Sequence, residues 1–518
     1  MGLNDQGDVV GIARSSTNFP FYLENYLTGE SASLRSNCGI DDTEASTGEF
    51  DATTIACLKS ELTNSSQVFL TSPSYQKIGD IVSFIYSGDV TTKVTLLDKV
   101  DDRIEELTRS NVEQFNDINN AGIAVGSASA PYLRTRFQQT GEDANESPIT
   151  LFQREFENRA SIWQNNTVST IEPLETQYGG TSGATAISET NLVAGFESVS
   201  IRSVAQEVIE DQCTGESLPV NVCAWSLAQN TNLFDIRPVI WELNTDGTVA
   251  NTTRYELAFT PKEDQVGNYT AYATSINDMG VAVGYGDVPR DENDDFIIKM
   301  PLIFSEGKTQ EMINDGNGID GGYATDINNN GVVVGYLQEL LNGEFNDTFF
   351  VYDTKTNELK TPTTFYKSAE NTARAINDNG LAVGVSEYEL TTSSQRRKHG
   401  FMYDINTDEL FDLNDLISCS LDYEIVEVGD INNNNQITAT ALKQVNALDE
   451  LGQPILDDDG NKVLTTSTVA VLLEPISGGQ IEECGVIDNP PYERQGMSMP
   501  LWILASLSFL TVIRRRFI

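Results

Sequence analysis

One ten-residue pattern recurs along the chain and restricts its fold more than any other feature. Its clearest copy, residues 326–335, reads Asp-Ile-Asn-Asn-Asn-Gly-Val-Val-Val-Gly. Four other close copies and two diverged ones make seven in all, at residues 2–11, 117–126, 186–195, 275–284, 326–335, 375–384 and 430–439. One Asn-x-x-Gly turn says little about a fold, but seven in the same register indicate a repeat protein.

Each copy predicts a turn between two strands. Asn side chains cap nearby backbone groups, and Gly adopts a positive φ without strain. The apolar residues on either side then form a hairpin, and the Gly that closes most copies allows a close approach to a neighbouring backbone. The predicted turn residues are Asn4, Gly7, Asn119, Gly122, Asn277, Gly280, Asn328, Gly331, Asn377, Gly380 and Asn432.

The spacing of the copies predicts the architecture. Between Asn277 and Asn432 the turns recur about every 50 residues, the size of a four-stranded propeller blade. A second, aromatic-rich hairpin follows each of the late copies, as at residues 348–361 and 399–413. We therefore predict an all-β, propeller-like fold of about seven four-stranded blades, with insertions in the long early repeats. An open β-solenoid or two smaller β domains would be the alternatives.

Two of the insertions have a helical pattern. Apolar residues at 152, 156, 160 and 163 recur at nearly i, i+4 spacing, which predicts a short amphipathic helix. A second short helix is predicted at residues 101–107. We expect both to pack against the β body.

The repeat also resembles a known family. The Ile-Asn-x-x-Gly-x-x-Val-Gly core is similar to that of HAF-repeat extracellular proteins, and His399-Gly400-Phe401 comes nearest to the aromatic part of that repeat. The whole chain resembles an uncharacterised family of secreted bacterial proteins with such repeats and a C-terminal sorting tail. This resemblance implies a β-repeat fold and export, but no activity.

Charge excludes one class of partner. Lys and Arg total 32 against 77 Asp and Glu, a net charge of −45, whereas nucleic-acid binding requires a basic surface. A solvated acidic surface explains this composition. The alternative is that acidic runs bind calcium, the one cofactor considered, with residues 291–295 and 457–461 as candidates. The second run also fits a hairpin turn.

The cysteines indicate an oxidising compartment. There are six, an even number, and none forms a Cys-x-x-Cys pair of the kind used for zinc or redox chemistry. Neighbours in sequence suggest the pairs Cys38 with Cys57, Cys213 with Cys223, and Cys419 with Cys484. Six reduced, buried thiols are the alternative.

The C-terminus divides from the β domain. Residues 1–483 form the predicted repeat domain, 484–499 a linker, and 500–518 a hydrophobic tail. The uncharged, mostly apolar run from Pro500 to Ile513, which includes Trp502, is followed at once by three arginines. This predicts a membrane helix with its basic end in the cytoplasm. Residues that would serve processing or anchoring are Gly496, Ser498, Pro500, Trp502, Arg514, Arg515 and Arg516.

This tail resembles the GlyGly-CTERM sorting signal. The resemblance implies cleavage by a rhomboid-type protease and delivery to the cell surface or the medium, and a simple single-pass anchor is the alternative. At the other end, Met1 stands directly before the first copy without a signal peptide. We expect the export signal and the first strand to lie upstream, or residues 468–473 to supply that strand.

Catalytic motifs are scarce. The single histidine, His399, makes a Ser-His-Asp relay or a histidine metal site improbable and is expected to pack or hydrogen-bond at the start of a strand. The favoured hypothesis is a non-enzymatic exported module that binds an extracellular or envelope protein or glycan through one propeller face. The alternative is a glycan-active enzyme that uses channel carboxylates. Buried carboxylates with raised pKa would favour the enzyme, and an aromatic-lined face would favour the binding module.

Overall fold

The structure is a computed structural model in which seven antiparallel sheets surround a central channel as the blades of a β-propeller. It describes residues 1–14, 33–47, 50–64, 73–75, 81–94, 97, 100–101, 106–107, 113–141, 147–228, 233–262, 267–290, 296–313, 319–341, 344–389, 396–448, 453–457 and 459–482. The predicted architecture is therefore confirmed, and the open solenoid and the two-domain alternative are wrong.

The first three blades contain long insertions. Blade 1 comprises β1 (Gly2–Leu3), β2 (Val9–Arg14), β3 (Ile81–Ser87) and β4 (Val90–Val94), and is followed by the small pair β5 (Val100–Asp101) and β6 (Glu106–Leu107). Blade 2 comprises β7 (Glu113–Ile118), β8 (Ala124–Ala128), β11 (Arg159–Gln164) and β12 (Thr167–Ile171), with the inserted pair β9 (Leu133–Phe137) and β10 (Ile149–Gln153). Blade 3 comprises β13 (Ser182–Ile187), β14 (Leu192–Ile201), β15 (Phe234–Leu243) and β16 (Val249–Arg254).

The last four blades are more regular. Blade 4 comprises β17 (Ala271–Ile276), β18 (Ala282–Pro289), β19 (Ile297–Ser305) and β20 (Lys308–Glu311). Blade 5 comprises β21 (Ile319–Ile327), β22 (Val332–Leu341), β23 (Glu344–Asp353) and β24 (Glu358–Lys360), and blade 6 comprises β25 (Asn371–Ile376), β26 (Leu381–Glu387), β27 (Lys398–Asp404) and β28 (Glu409–Asp412). Among the described residues, blade 7 has three strands, β29 (Glu424–Ile431), β30 (Ile437–Asn446) and β31 (Leu464–Leu473).

Helices occur only in connections, within the part of the chain that the structure describes. Three lie between β2 and β3: α1 (Ser33–Asn37), α2 (Asp42–Thr47) and α3 (Ala52–Asn64). Two lie between β14 and β15: α4 (Ser203–Gln212) and α5 (Val220–Ala228). The short α6 (Leu413–Leu416) follows β28, and the predicted C-terminal helix lies outside the described residues.

Both helices predicted from periodicity are wrong. Residues 152–163 belong to the ends of two strands, β10 and β11, that are separated by an irregular segment. The apparent helical spacing arises because Phe152 and Ala160 are buried in strands and Trp163 is half-buried in β11, while Phe156 lies under the Arg159 guanidinium in between. At residues 101–107 the ends form the paired strands β5 and β6, with Val100 opposite Leu107.

Each repeat begins with the innermost strand of a blade. That strand ends at the Asn-x-x-Gly turn, and the second strand returns beside it, as β21 and β22 do on either side of Asn328. Aromatic residues of the third strands are buried between blades, among them Trp241, Phe304, Phe350 and Phe401. The apolar core therefore lies between successive sheets.

The ring is closed between blades 7 and 1. The Leu3 N–H donates to the Asp430 carboxylate at 2.9 Å, and Asn432 Nδ2 donates to the Asn4 carbonyl at 2.8 Å. Blade 1 has its own, two-residue inner strand, β1. Residues 468–473 do not supply a strand to blade 1, because they belong to β31 and pair with β30.

Candidate functional site

Every repeat turn is held by its first side chain. In blade 5, Asn328 Oδ1 accepts hydrogen bonds from the backbone N–H groups of Asn330 at 3.0 Å and Val332 at 2.9 Å. Gly331 follows in a left-handed conformation with φ +80°. In the two diverged turns Asn191 and Asn435 take that conformation instead, with φ of +62° and +61°. The physical basis predicted for the turns is therefore confirmed.

The same asparagines connect the blades. Asn328 Nδ2 donates to the carbonyl of Asn377, its counterpart in the next blade, at 2.9 Å, and all seven positions are at most 5% exposed. Equivalent bonds join Asn4 to Asn119, Asn119 to Ser188, Asn277 to Asn328, Asn377 to Asn432, and Asn432 to Asn4. Blade 3 carries Ser188 at this position, and Thr190 Oγ1 donates instead to the Asp278 carbonyl at 3.2 Å. These seven residues are the asparagine ring.

A second ring surrounds the mouth of the channel. It is formed by the residues that directly follow the members of the asparagine ring. Each of them donates its backbone N–H to the side-chain oxygen of the equivalent residue in the next blade, at 2.8–3.2 Å. Its members are Asp5, Asn120, Glu189, Asp278, Asn329, Asp378 and Asn433. Each blade thus donates to one neighbour and accepts from the other around the complete circle.

Three half-buried carboxylates lie beneath the asparagine ring, on Asp117, Asp326 and Asp430. Each accepts the N–H of the following residue and an N–H of the next blade; for Asp326 these donors are Ile327 at 2.8 Å and Ile376 at 2.7 Å. Burial raises the pKa of Asp117 and of Asp326 to about 6, and raises that of Asp430 well above its usual range, since the three also repel one another.

These carboxylates connect neighbouring blades. Their oxygens are occupied by backbone N–H groups, and the space enclosed by both rings and the carboxylates is only about 150 Å³. Among the described residues no three His, Cys, Asp or Glu side chains are grouped as a metal site would require. Calcium binding stays a prediction, and residues 291–295 lie outside the described residues.

The carboxylates of Asp117 and Asp326 should make the fold less stable as pH rises. Asp117 and Asp326 have folded-state pKa values of about 6 against an ordinary 3.8, so the folded chain binds more protons between these values. The free energy of unfolding should therefore decrease from about pH 4 to pH 7. Denaturant titrations at several pH values in this range measure the effect. The free energy of unfolding of the double variant Asp117→Asn/Asp326→Asn should depend less on pH than that of the wild type. Equal slopes in both proteins would contradict this prediction, whatever their absolute stabilities.

Aromatic side chains cross the opposite face of the propeller. Tyr323 precedes Asn328 by five residues in β21, so it lies roughly 16 Å from the turn along an extended strand. Ring centroids follow one another at 5.0, 5.2, 4.6 and 5.1 Å. The order of this ladder is Phe196, Tyr272, Tyr285, Tyr323 and Tyr336, and we call it the tyrosine face.

Three of the four hydroxyl groups of the tyrosine face are available for hydrogen bonding, whereas that of Tyr272 is bonded to Thr270. Its four tyrosines are half-buried, and the hydroxyls of Tyr285, Tyr323 and Tyr336 have no protein hydrogen-bond partner within the described ranges. Burial raises the pKa of Tyr285 and of Tyr336 to about 12. At neutral pH these groups are therefore protonated and can both donate and accept.

A cavity lies at each end of the ladder. The first, of about 380 Å³, is lined by Phe196 and Tyr272 together with Phe156, Tyr178 and Trp225. The second, of about 320 Å³, begins at Tyr336 and is lined by the charged residues Asp347, Arg374, Lys398 and Glu427. Both volumes fall within the range of about 300–1,000 Å³ typical of ligand sites.

The wall of the first cavity comes from the insertion in blade 3. Trp225 in α5 donates its Nε1–H to Glu157 at 2.6 Å, and Arg154 pairs with the same carboxylate at 3.0 Å. A disulfide between Cys213 and Cys223 joins the end of α4 to α5. The insertion is thereby fixed against the propeller, and the cavity is preformed.

Two of the three predicted disulfides are confirmed. Cys38 pairs with Cys57 in the blade 1 insertion, and Cys213 with Cys223 in the blade 3 insertion. Such bonds are typical of oxidising compartments. Cys484 lies outside the described residues, so its pairing with Cys419 stays a prediction.

His399 has a packing role, as its position at the start of a strand predicted. Its ring stacks on Tyr388 with centroids 3.6 Å apart, and Nδ1 lies 2.7 Å from Asp412 Oδ2. Burial by itself would lower its pKa, but the Asp412 and Glu424 carboxylates raise it to about 9. The imidazolium is therefore charged at neutral pH and is a poor general base.

A single resonance can test this ion pair. The chain has one histidine, so its imidazole Hε1 signal should titrate near pH 9 instead of 6.5. Because the folded pKa is the higher one, the stabilisation is complete below about pH 6.5 and is lost as pH rises through 9. The stability difference from His399→Gln should shrink over that window. A midpoint near 6.5 would show that the carboxylates do not stabilise the charged ring.

The structure leaves the predicted tail untested. Gly496, Ser498, Pro500, Trp502 and the three terminal arginines lie outside the described residues. Within the described residues no helix is long and apolar enough to cross a bilayer. The interpretation of residues 457–461 as a hairpin turn is confirmed. Leu456 and Lys462 form a β-bridge, and the Asp457 carboxylate accepts the N–H of Asn461 at 2.8 Å.

The tyrosine face was not predicted from the sequence, although the repeats contain a signal for it. Residues 271–277 and 322–328 both carry Tyr-Ala-Thr before the turn, and Tyr285 and Tyr336 both follow the closing Gly of the repeat. Because facing tyrosines recur at equivalent positions of adjacent repeats, a ladder could have been predicted once the hairpin register was assigned.

One protein-family model matches almost the whole chain. Residues 1–516 match the model of the family described as "Protein of unknown function (DUF3466)", so the chain belongs to that family. No curated protein sequence matches it.

Several solved structures are similar to the chain at low identity. They include the β-propeller domain of the Trilobed protease from Pyrococcus furiosus, which is 12% identical, with 75% of this chain and 89% of that chain covered and a TM-score of 0.36. A puromycin-hydrolysing peptidase from Mycobacterium tuberculosis is 11% identical, with coverages of 76% and 48% and a TM-score of 0.37. TolB from Acinetobacter baumannii is 12% identical, with coverages of 72% and 75% and a TM-score of 0.29. Function has to be inferred from the residues of this chain.

Proposed function

We propose that this DUF3466 family member is an exported, non-catalytic propeller that binds a component of the cell envelope or its surroundings through the tyrosine face. The observation that carries the proposal is the ladder of half-buried rings that joins two preformed cavities, and in which the hydroxyls of Tyr285, Tyr323 and Tyr336 have no partner among the described residues. Tyrosine combines a large apolar area with a hydrogen-bonding group at low entropic cost, which suits recognition.

The half-buried carboxylates are the observation in favour of a glycan-active enzyme. Asp117 and Asp326 have the raised pKa expected of such a site. They lie, however, beneath the asparagine ring, at the end of the channel away from the tyrosine face, and backbone N–H groups occupy their oxygens. We therefore rank the enzyme second.

Binding to isolated envelopes tests the first function. The purified full chain should sediment with envelopes of the source organism, and Tyr323→Ala should reduce the bound fraction at least fivefold. Tyr86→Ala is the matched control, because Tyr86 is also half-buried but lies near the β3–β4 turn of blade 1. Equal binding by wild type and Tyr323→Ala would refute a role for this face. Release of reducing sugar that depends on Asp117 and Asp326 would favour the enzyme.

Export rests on the disulfides and on the predicted tail. Mass spectrometry of the protein from cells and medium should find a soluble form that ends near Gly496, as the resemblance to the sorting signal implies. An intact tail in the membrane fraction would instead support a permanent anchor. Recovery only from the cytoplasm with reduced cysteines would contradict export.

A further inference from the structure

Cations and carboxylates occur in nearly equal numbers at the border of the tyrosine face. Lys299 Nζ lies 3.0 Å from Asp287 Oδ1 beside the ladder, and Lys398 Nζ lies 3.4 Å from Glu370 Oε1. The charged lining of the second cavity comprises two cations, Arg374 and Lys398, and two carboxylates. Together these are three cations and four carboxylates, so in a chain of net charge −45 this face is close to balanced.

Charge balance indicates the nature of the ligand. A polyanion would gain no excess of cations here and would be repelled by the rest of the acidic molecule. A polycation would find many better-suited surfaces elsewhere on the same molecule. A face with balanced charge and free hydroxyl groups is complementary to a ligand that is itself uncharged and rich in hydroxyls.

The shape of the face indicates an elongated ligand. The ladder makes four steps of about 5 Å from ring to ring across blades 3, 4 and 5. The cavity beside Phe196 is lined mainly by apolar and aromatic side chains, and its one carboxylate, Glu157, is already bound by Arg154 and Trp225. The cavity beside Tyr336 is polar. A ligand that spans both would place a compact, less polar end group in the first and polar groups in the second.

We propose that the tyrosine face binds an uncharged oligosaccharide that lies along the ladder, with its terminal unit in the cavity formed by Phe156, Tyr178 and Trp225. This assignment rests on the proposed function, since it requires that the tyrosine face be the binding face. The phenol hydroxyls of Tyr285, Tyr323 and Tyr336 exchange hydrogen bonds with sugar hydroxyls. Trp225 presents its ring to the terminal sugar, because its N–H is already bound to Glu157.

Calorimetry with the full chain tests the ligand class. The probes are neutral oligosaccharides of increasing length, uronate-containing oligosaccharides and a lysine-rich peptide. We expect neutral chains to bind, with an affinity that rises with length and changes less than about twofold between low and high salt, because screening acts on charged partners. Tyr336→Phe keeps the stacked ring and removes one hydroxyl, so it should weaken binding by about five- to tenfold. Tyr86→Phe should have no effect.

The outcomes separate the two proposals. Tyr336-dependent, salt-sensitive binding of the uronate chains or of the peptide would overturn the neutral ligand and preserve the tyrosine face as a binding face. Binding of neutral chains that is unchanged in Tyr336→Phe and Trp225→Ala would overturn the location. Absence of binding by every probe, with envelope binding that still requires Tyr323, would overturn the oligosaccharide alone. If no probe binds and envelope binding does not require Tyr323 either, both the oligosaccharide and the tyrosine face as a binding face are overturned.

Discussion

Replacing Asn328 by Ala should destabilise the propeller by about 3–5 kcal/mol, because several buried hydrogen bonds disappear together. The side chain accepts from the N–H groups of Asn330 and Val332 and donates to the Asn377 carbonyl. The residue is 4% exposed, so water does not easily replace these partners. Midpoints of guanidinium denaturation, followed by circular dichroism, measure the loss.

The same turn provides a matched control. Asn330 also donates across the blade boundary, from Nδ2 to the Asp378 carbonyl at 2.8 Å, but this bond is exposed. Asn330→Ala should cost less than about 1 kcal/mol, since water can take the place of the lost amide. Similar losses of stability for the two variants would show that burial in the asparagine ring does not determine how strongly the hydrogen bonds between blades stabilise the fold.

Gly335→Ala is expected to have a comparable effect for a different reason. A Cβ at this position would lie 2.1 Å from the Tyr323 carbonyl oxygen and 2.7 Å from the Phe350 ring. The carbonyl belongs to the inner strand and cannot move without disturbing the sheet, so a cost of about 3 kcal/mol or more is expected. Thermal unfolding and the yield of soluble protein should both decrease.

Blade 7 offers the reverse substitution as a control. Ala439 occupies the position of Gly335. The inner strand of blade 7 is irregular between Ile425 and Glu427, where the equivalent part of blade 5 pairs regularly. Ala439→Gly should therefore cost only about 1 kcal/mol, mainly through backbone entropy and a lost methyl group. A well-folded Gly335→Ala with wild-type stability would show that the two strands can separate at little cost.

The turn sequence was sufficient to predict the fold because its chemistry is local. Asn capping and a left-handed fourth residue define a hairpin without tertiary information, and even the diverged copies keep Asn191 and Asn435 at the left-handed position. The number of copies then gave the number of blades. The two confirmed disulfides could also be predicted from the sequence, because each joins two consecutive cysteines of the chain.

Tertiary packing accounts for what the sequence did not reveal. Residues 152–163 imitate a helix, although Phe152 and Ile162 are buried in two separate strands. The tyrosine face depends on which residues of adjacent blades become neighbours, as Tyr285 and Tyr323 do. The role of Asp117 as a connection between blades was equally hidden, because its partner Ile187 lies 70 residues away.

The closed circle of hydrogen bonds has a consequence for how the chain folds. No blade can satisfy its donors and acceptors until both neighbours are in place, and the last joint unites Asn432 with Asn4, which are 428 residues apart. The entropic cost of that closure grows only with the logarithm of the separation, so it is little larger than that of joining half the ring. Such distant pairing is nonetheless slow to find. We therefore expect intermediates with folded but unclosed blades to accumulate during refolding. Formation of the contact between blades 7 and 1 should be the slow step that converts these intermediates into the native protein.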